Sequence, residues 1–502
     1  MTTTDWIIIA IYLVSMLAIG LYCAQRTKDS EDYLLGGRRM SPSAVGLSLF
    51  ASIFSTISYL SLPGEVIRNG PAIAATVLAY PFVAWIAGWF LIPSIMKLKV
   101  TSAYEILELR FGLGIRLLGS CIFLLLRLFW MAMMIHVTTS AVLAPMLGLS
   151  SSSSLWASLG IGALTVIYSS MGGLRAVVIT DVIQTAILSV GAVLTLVTIS
   201  RATGGLGDWF SGSWTGHWPR LDPGFGFESR ISVGWMVVST LVWYICTTGS
   251  DQMAVQRYSA TRDARSARRV LITSLSADCF IILLQVLLGV ALLAYFRQHS
   301  QMIPTGQSIL TSADRLFPRY IMFGLSEGVS GLIMAGLLSA AMSSLSSGIT
   351  SCCSVVLSDF VIRLSAAKRC APASVRVARW LSALIGVVVL GLSLLVRLVP
   401  GNLLEVGYRI ANPLVTVLFI PFLMAMFVPW ATTFGTWIAT ISTFIVAFTI
   451  AYWELLTDSQ GPSFLLIMPA SLAVGVGVGL LASLLPVGTK SRLVPSDPRL
   501  SH

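Results

Sequence analysis

The stretch that decides the fold reads LSLFASIFSTISYLSLPGEV and covers residues 47–66. It is apolar enough to enter a membrane, yet it carries hydroxyl groups along its length and ends in Pro63-Gly64. Hydroxyl groups and a helix breaker predict a backbone that unwinds inside the membrane and frees carbonyl oxygens for a cation or a solute. A continuous helix that packs small residues against its neighbours would show the same pattern. This segment alone fits both interpretations.

The rest of the chain is as apolar as this stretch. Of its 502 residues, 56% are hydrophobic and 11% are charged, whereas soluble proteins carry about 25% charged residues. The composition predicts an all-α polytopic membrane protein. Apolar runs of about 20 residues predict about thirteen membrane-spanning helices. These runs are 5–23, 43–62, 72–97, 117–147, 153–171, 176–200, 231–249, 267–296, 320–358, 377–400, 403–429, 432–455 and 463–486.

The distribution of basic residues predicts how the chain is oriented in the membrane. The first run is too long for the apolar core of a signal peptide and lacks a basic segment before it, so we expect it to stay as the first span. With the N-terminus outside, most of the 32 Lys and Arg residues fall in inside loops, including the basic run 257–269. The positive-inside rule therefore predicts an outside N-terminus and a cytoplasmic C-terminus in the cell's inner (plasma) membrane. It also accounts for the net charge of +11 without a nucleic-acid partner.

Features of metal sites and of enzymes are sparse. The seven cysteines form no CxxC pair, and the four histidines have no metal-ligand spacing, so we expect buried structural thiols. Residues 324–328 match G-x-S-x-G, but they precede a predicted membrane helix and not the turn between a strand and a helix. The sequence therefore predicts a protein that is not an enzyme, and a transporter or a channel is expected.

Two further spans carry polar groups where they are costly to bury. Asp181 lies roughly 9 Å inside the cytoplasmic end of the sixth predicted span. Such a carboxyl either is neutral and bonded to a nearby hydroxyl or meets a cation. The seventh span ends in the polar segment Thr247–Asp251, followed by a second helical piece. A second discontinuous helix, five spans after the first, is expected of an inverted repeat.

A stripe of serines marks the ninth span. Ala340, Ser343, Ser344 and Ser347 share one helix face. The face is also lined by small residues that permit close helix packing. Hydroxyls and free carbonyls suit sodium, which needs no nitrogen or sulfur ligand. By residue type alone, packing and ion binding both remain possible.

Four segments together resemble the signatures of the sodium/solute symporter family, and they stand in the right order and spacing. They are FASIFSTISYLSLPGEV (50–66), GGLRAVVITDVIQ (172–184), GSDQMAVQRY (249–258) and AAMSSLSSGITS (340–351). The resemblance implies a LeuT-like fold with two inverted five-helix repeats, one preceding helix and two following helices. The implied units are a first helix and loop (1–42), a first repeat (43–200), an exterior loop (201–230), a second repeat (231–430), two accessory helices (431–486) and a cytoplasmic tail (487–502).

The resemblance also implies ion sites for one or two co-transported Na+ ions. In the main site, the backbone carbonyls would come from Ala51, Phe54 and Ala340, and the hydroxyls from Ser343 and Ser344. The second site would use Asp181 with Ser343, Ser346 and Ser347.

The implied solute site is less complete. The segment 55–65 is similar to the sialic acid and monocarboxylate branches. Ser55 and Ser58 match positions whose hydroxyls contact the solute in the sialic acid transporters, and Thr56 between them is a further candidate. Where the sialic acid transporters hold a carboxylate with an arginine, this chain has Trp130. Arg127, one turn earlier, could bind the carboxylate instead or pair with a fixed acid. Arg409 is a weaker candidate that we expect to pair with Glu405.

The function implied by the resemblance is a sodium-coupled symporter that works by alternating access, as a monomer in the lipid bilayer. The imported solute would be small, polar and organic: an acid such as sialic acid or a monocarboxylate, or a sugar. The alternative is a proton-coupled or amino-acid (proline-like) permease of the same fold.

Overall fold

The computed structural model describes residues 2–144, 148, 150–209, 217–219, 221–226, 232–303, 306–363, 375–396, 403–459 and 461–486. This part of the chain is helical, with one isolated β-bridge between Asp222 and Ser232. The predicted tail 487–502 and much of the exterior loop 201–230 lie outside the described residues. The principal helices are α1 (Thr3–Arg26), α2 (Ser30–Leu35), α3 (Pro42–Ile53), α4 (Thr56–Asn69), α5 (Pro71–Met96), α6 (Glu105–Phe111), α7 (Leu113–Val137), α8 (Ser151–Thr203), α9 (Val233–Ser250), α10 (Gln252–Ser259), α11 (Ala264–Gln298), α12 (Ile309–Phe323), α13 (Val329–Ile362), α14 (Val375–Val396), α15 (Leu403–Phe427), α16 (Thr433–Ala451) and α17 (Phe464–Ser483).

The number of spans agrees with the sequence-based expectation. In the described residues, 11 helices are long and apolar enough to cross a membrane, and the bent pair α3–α4 raises the number to 12. Helix α8 contains 53 residues, which is about 80 Å of helix, whereas the hydrocarbon core is about 30 Å thick. It therefore contains the two predicted spans 153–171 and 176–200. Counting them separately confirms the thirteen predicted spans.

The two halves of α8 meet at Gly173, where the backbone has φ +60° and ψ −159°. A Cβ atom at this position would clash with the carbonyl oxygen of Tyr33 and would lie 2.8 Å from its ring. The Tyr33 ring cannot easily move, because its hydroxyl donates a hydrogen bond to the carbonyl of Ser170 at 2.8 Å. Only glycine combines this backbone conformation with this contact.

Replacing Gly173 by alanine is expected to lower the free energy of unfolding by about 1–3 kcal/mol, since alanine is strained at positive φ and would contact Tyr33. Thermal unfolding of the purified protein in detergent, followed by tryptophan fluorescence, measures this. Gly114→Ala is the matched control, because Gly114 has no atom near its Cβ position. Equal shifts in both variants would contradict this explanation.

The first broken helix is interrupted earlier than the sequence suggested. The prediction that the chain breaks at Pro63-Gly64 is wrong, because α4 continues through Pro63 to Asn69. The break lies at Phe54, with ψ 112°, and Ser55, with φ −103° and ψ 166°, and the axes of α3 and α4 differ by 67°. The Ser55 hydroxyl accepts a hydrogen bond from the Ser58 amide at 3.3 Å. A serine cap starts a helix efficiently, whereas a proline within a helix removes one amide donor and can be tolerated in membrane helices.

The second broken helix lies between α9 and α10. Helix α9 runs through Ser250, and Asp251 has the extended values φ −77° and ψ 121°. The Asp251 carboxylate accepts a hydrogen bond from the Met253 amide at 2.9 Å, and so caps α10. The structure therefore places the break at the last residue of the predicted segment Thr247–Asp251.

The serine-rich helix α13 lies at the centre of the protein, and every residue from Ile333 to Val355 is buried. It packs against α1, α3, α7, α8 and α14. The predicted run 320–358 is divided, since α12 ends at Phe323 before α13 begins. At its N-terminal end, α13 is capped by Asp5 of α1. The Asp5 carboxylate accepts from the amides of Gly328 and Gly331, both at 2.9 Å, and from the Ser330 hydroxyl at 2.8 Å.

Candidate functional site

The first broken helix meets the serine-rich helix through one hydroxyl group. The Ser343 hydroxyl contacts the carbonyl oxygen of Ala51 at 2.7 Å and that of Ala340 at 3.1 Å. Ala51 belongs to the last turn of α3, where carbonyls lack an intrahelical partner because Phe54 is extended. The structure thus brings together three of the five oxygen atoms that the resemblance assigns to the main sodium site.

The other two predicted ligands lie beside this contact. Ser344 is buried, and within the described residues its Oγ has no hydrogen-bond partner. A buried hydroxyl without a partner costs about 1–3 kcal/mol, and such groups are often completed by a water or an ion. Phe54 ends α3 in an extended conformation, which takes its carbonyl out of the helical hydrogen-bonding pattern. Hydroxyl and carbonyl oxygens are ligands that fit Na+, a hard cation.

The predicted solute-binding residues have different surroundings. The hydroxyls of Ser55 and Ser58 lie 3.4 Å apart at the start of α4. Trp130 is partly buried and packs on a small cluster that includes Ile57 of α4 and Met133, Met134 and Val137. The Thr56 hydroxyl donates instead to the carbonyl of Leu337 at 2.9 Å, and this bond attaches α4 to α13.

Both candidate arginines form ion pairs with protein carboxylates. The Arg127 guanidinium contacts the Asp251 carboxylate at the second helix break, and only 13% and 3% of these side chains are exposed. Of the two roles open to Arg127, the structure thus shows the pairing with a fixed acid. Arg409 contacts Glu454 at 3.3 Å, while the side chain of Glu405 lies outside the described residues.

Asp181 has a partner that the sequence did not suggest. Its carboxylate is fully buried and accepts from the Ser48 hydroxyl at 2.5 Å and from the Arg257 guanidinium at 3.4 Å. Arg257 also donates to the hydroxyls of Ser52, at 2.5 Å, and Ser347, at 2.6 Å. The placement of Arg257 in a cytoplasmic loop was wrong, since it lies in α10 with none of its side chain exposed.

This arginine changes the electrostatics of the predicted second sodium site. Of the three serines assigned to that site, Ser347 shares Arg257 with Asp181, whereas Ser346 donates to the Ser343 carbonyl at 3.1 Å. Asp181 Oδ1 is buried without a hydrogen-bond partner in the described residues. A second ion here would share the carboxylate with a buried guanidinium. One sequence feature could have indicated that Arg257 is not part of the exposed loop. It lies six residues beyond the helix break at Asp251 and is set apart from the charged residues 262–269.

A charged network lies at the C-terminal end of α13. Glu108 of α6 accepts from Arg363 and from Arg116, each at 2.5 Å. The hydrogen bond from Arg363, assisted by Arg116, holds the pKa of the Glu108 carboxyl below its ordinary value. Arg116 also contacts Asp359 of α13 at 2.6 Å. The network therefore connects α6 and α7 to α13, away from the candidate ion ligands.

The profile of the sodium:solute symporter family matches residues 33–442. The chain belongs to this family.

Relatives of this symporter span most of its length. The sodium/sialic acid symporter SiaT of Proteus mirabilis (strain HI4320) is 32% identical over 372 residues, which cover 70% of each protein. The sodium-coupled monocarboxylate transporter 1 of Mus musculus is 30% identical over 471 residues, which cover 89% of this chain and 72% of the mouse protein. Neither relative matches the symporter strongly enough to decide between their two kinds of solute.

Solved structures show the fold of this symporter. A Na+-coupled sialic acid symporter, solved in a substrate-bound outward-open state, has a TM-score of 0.84 and 27% identity, and the match covers 98% of this chain and 99% of that chain. Mhp1, a nucleobase-cation-symport-1 family transporter, shares the fold with a TM-score of 0.55 at 12% identity. The symporter is thus a multi-pass membrane protein with the predicted LeuT-like fold, and its family consists of transporters. Ser326 of the G-x-S-x-G match lies exposed between α12 and α13.

Proposed function

We propose that the protein is a sodium-coupled symporter that imports a small polar organic solute by alternating access. The observation that carries the proposal is the contact at the first helix break. There, the Ser343 hydroxyl bridges the carbonyls of Ala51 and Ala340, and Ser344 Oγ is buried without a partner. This arrangement offers oxygen ligands from two helices that alternating access can bring together or separate.

The proposed cycle uses this contact as its coupling point. Na+ enters from outside and binds between α3–α4 and α13, which fixes the start of α4 where Ser55 and Ser58 lie. The solute then binds, the inverted repeats rock, and release of Na+ to the cytoplasm frees the solute. A membrane potential contributes about 2.3 kcal/mol per charge per 100 mV. One Na+ ion at the main site is sufficient for this cycle, and a second would bind at Asp181 beside Arg257.

For the solute, the relatives favour an organic acid such as sialic acid or a monocarboxylate, and a sugar is also possible. The residues that would bind the solute are Ser55, Ser58, Trp130 and, if its ion pair with Asp251 opens, Arg127. A proton-coupled or amino-acid (proline-like) permease is the alternative.

The test is uptake into proteoliposomes at fixed pH, with Na+ or choline outside. We expect uptake of at least one solute from a panel of sialic acids, monocarboxylates, sugars and amino acids to require Na+. Uptake that continues in choline and follows the pH gradient would support the proton-coupled alternative. Flux that does not saturate with solute concentration would indicate a channel.

We also propose that the protein is a monomer in the inner (plasma) membrane, with its N-terminus outside and its C-terminus inside. In a variant without the native cysteines, a membrane-impermeant maleimide added to intact cells should label Glu327→Cys and spare Arg262→Cys. Both positions are exposed, and they lie in turns at opposite ends of the spans. The reverse labelling pattern would contradict the orientation. Light scattering after chromatography in detergent would measure the oligomeric state.

A further inference from the structure

One buried carboxylate in the membrane has no role in the cycle above. Asp278 lies in α11 and is 6% exposed, and it accepts hydrogen bonds from the hydroxyls of Tyr80 of α5 and Tyr244 of α9. Within the described part of the chain, no Lys, Arg or His forms an ion pair with it. A carboxylate buried in a membrane without a cationic partner is costly. The two phenol donors offset only part of this cost, and a bound positively charged group would offset more of it.

This carboxylate lies at the depth of the first helix break. Helix α11 runs alongside α3 and α4, and it contacts them at two places: Gly46 against Thr273, and Pro63 against Gly289. Phe54 is eight residues beyond the first contact along α3, and Asp278 is five residues beyond it along α11. Because a helix rises about 1.5 Å per residue, the positions of Phe54 and Asp278 along the helix axes differ by less than about one helical turn.

The surroundings of Asp278 are aromatic. The rings of Tyr80 and Tyr244 are 5.3 Å apart at centroid, and Trp243 adds a third ring 4.9 Å from Tyr244. One turn beyond Tyr244, towards the second helix break, Thr247 is 4% exposed and its Oγ1 has no hydrogen-bond partner in the described residues. A buried carboxylate held between two tyrosines, with no cationic side chain paired to it in the described residues, is a group that can bind an ammonium ion.

A sodium ion fits this place less well than an ammonium group. Tyr80, Tyr244 and Asp278 all lie within regular helices, whose carbonyls are used in helical hydrogen bonds. The main ion site, by contrast, has carbonyls released by a helix break. Sodium needs several oxygen ligands, whereas an ammonium group needs one strong acceptor and gains from aromatic faces.

We propose that Asp278, positioned by Tyr80 and Tyr244, binds a protonated amine of the solute. This proposal rests on the sodium-coupled symport proposed above but changes the expected solute. It requires a transported molecule with an ammonium group, which sialic acid, monocarboxylates and unsubstituted sugars lack. Solutes that are purely anionic or neutral would leave the Asp278 carboxylate buried and unpaired in the occluded state. Amino acids and amino sugars satisfy the requirement, whereas hydroxy acids and unsubstituted sugars do not.

The test uses pairs of solutes that differ by an ammonium group in place of a hydroxyl: alanine with lactate, and glucosamine with glucose. Binding is measured as the increase in melting temperature of the purified protein in NaCl, since a ligand that binds the folded state raises it. Sodium-dependent uptake of the same solutes into proteoliposomes is the second readout. We expect the ammonium member of at least one pair to bind and to be taken up, and its hydroxyl counterpart to be much weaker.

The variant Asp278→Asn keeps the size of the side chain and removes its charge. We expect it to bind the ammonium solute at least about 30-fold more weakly, as for loss of a buried charge partner. Asp314→Asn is the matched control, because it removes a half-exposed carboxylate that pairs with Arg68. Equal binding within the pairs, or ammonium binding that survives Asp278→Asn, would overturn the proposal even if uptake required Na+. If Asp278→Asn does not fold, the proposal is tested by whether the wild-type protein prefers the ammonium member of each solute pair. An absence of sodium-dependent uptake for every solute would instead contradict the proposed symport.

Discussion

Replacing Arg257 by methionine is expected to lower the free energy of unfolding by about 3–5 kcal/mol, which is the cost of removing one partner from a buried ion pair. The Arg257 and Asp181 side chains are both 0% exposed, so neither charge can be compensated by water. Arg257 also donates to Ser52 and Ser347, and their hydroxyls would lose a donor. Unfolding of the purified protein by SDS or heat measures the effect.

A double-variant cycle separates the charge from the packing. Asp181→Asn combined with Arg257→Met removes both charges and should recover most of the lost stability, because a neutral pair no longer leaves a buried charge. Arg257→Lys should be intermediate, since an ammonium group keeps the charge but lacks the planar fork of donors. If the single and double variants were equally unstable, the role of Arg257 would be packing. The Hill slope of sodium-dependent uptake in Asp181→Ala tests the second ion, and a fall from two to one would support it.

Replacing Ser344 by alanine is expected to raise the sodium concentration for half-maximal uptake by about 10–100-fold, the range known for groups that support a metal site. The same change should leave the sodium-free protein equally stable or more stable, because Ser344 Oγ is buried without a partner. These opposite effects distinguish an ion ligand from a packing residue. Sodium-dependent uptake and melting temperatures with and without Na+ measure them.

Two neighbouring serines complete the experiment. Ser343→Ala should weaken sodium binding at least as strongly, and it should also destabilise the sodium-free protein, because the bridge from α13 to Ala51 is lost. Ser339→Ala is the control, since the Ser339 hydroxyl donates within its own helix to the carbonyl of Gly336 at 2.7 Å. A wild-type sodium dependence in Ser344→Ala would contradict the assignment of Ser344 to the site.

The span pattern and the two broken helices could be predicted from the sequence, because hydrophobic length and clusters of hydroxyls are local properties. The exact break could not. Pro63 is the strongest helix breaker of its segment, yet the chain breaks at Ser55, where α13 supplies a partner for Ala51. That partner is Ser343, which is separated from Ala51 by 292 positions in the chain. No local sequence pattern indicates such a contact.

The prediction for Arg257 was wrong for a related reason. Counting basic residues by loop treats every arginine beside a basic run as exposed to water. Arg257 is buried because Ser52 of α3, Asp181 of α8 and Ser347 of α13 surround it. Its environment therefore depends on the packing of three helices that are far apart in the chain. Asp278 was missed in the same way, because its tyrosine partners lie on two other helices.

The contact between Asp5 and the start of α13 determines when the N-terminal end of the first helix can take its final place. Asp5 and Gly328 are separated by 323 positions, and a ribosome adding about 5–20 residues per second needs roughly 15 seconds to a minute to cover that distance. During this interval α1 is already in the membrane without the amides that Asp5 will bind. A nascent chain that stops before Gly328 leaves Asp5 without its hydrogen-bond donors, although Gly20 of α1 can already pack against Tyr168 of α8. The Asp5 end of the first span is therefore fixed later in biosynthesis than its Gly20 end.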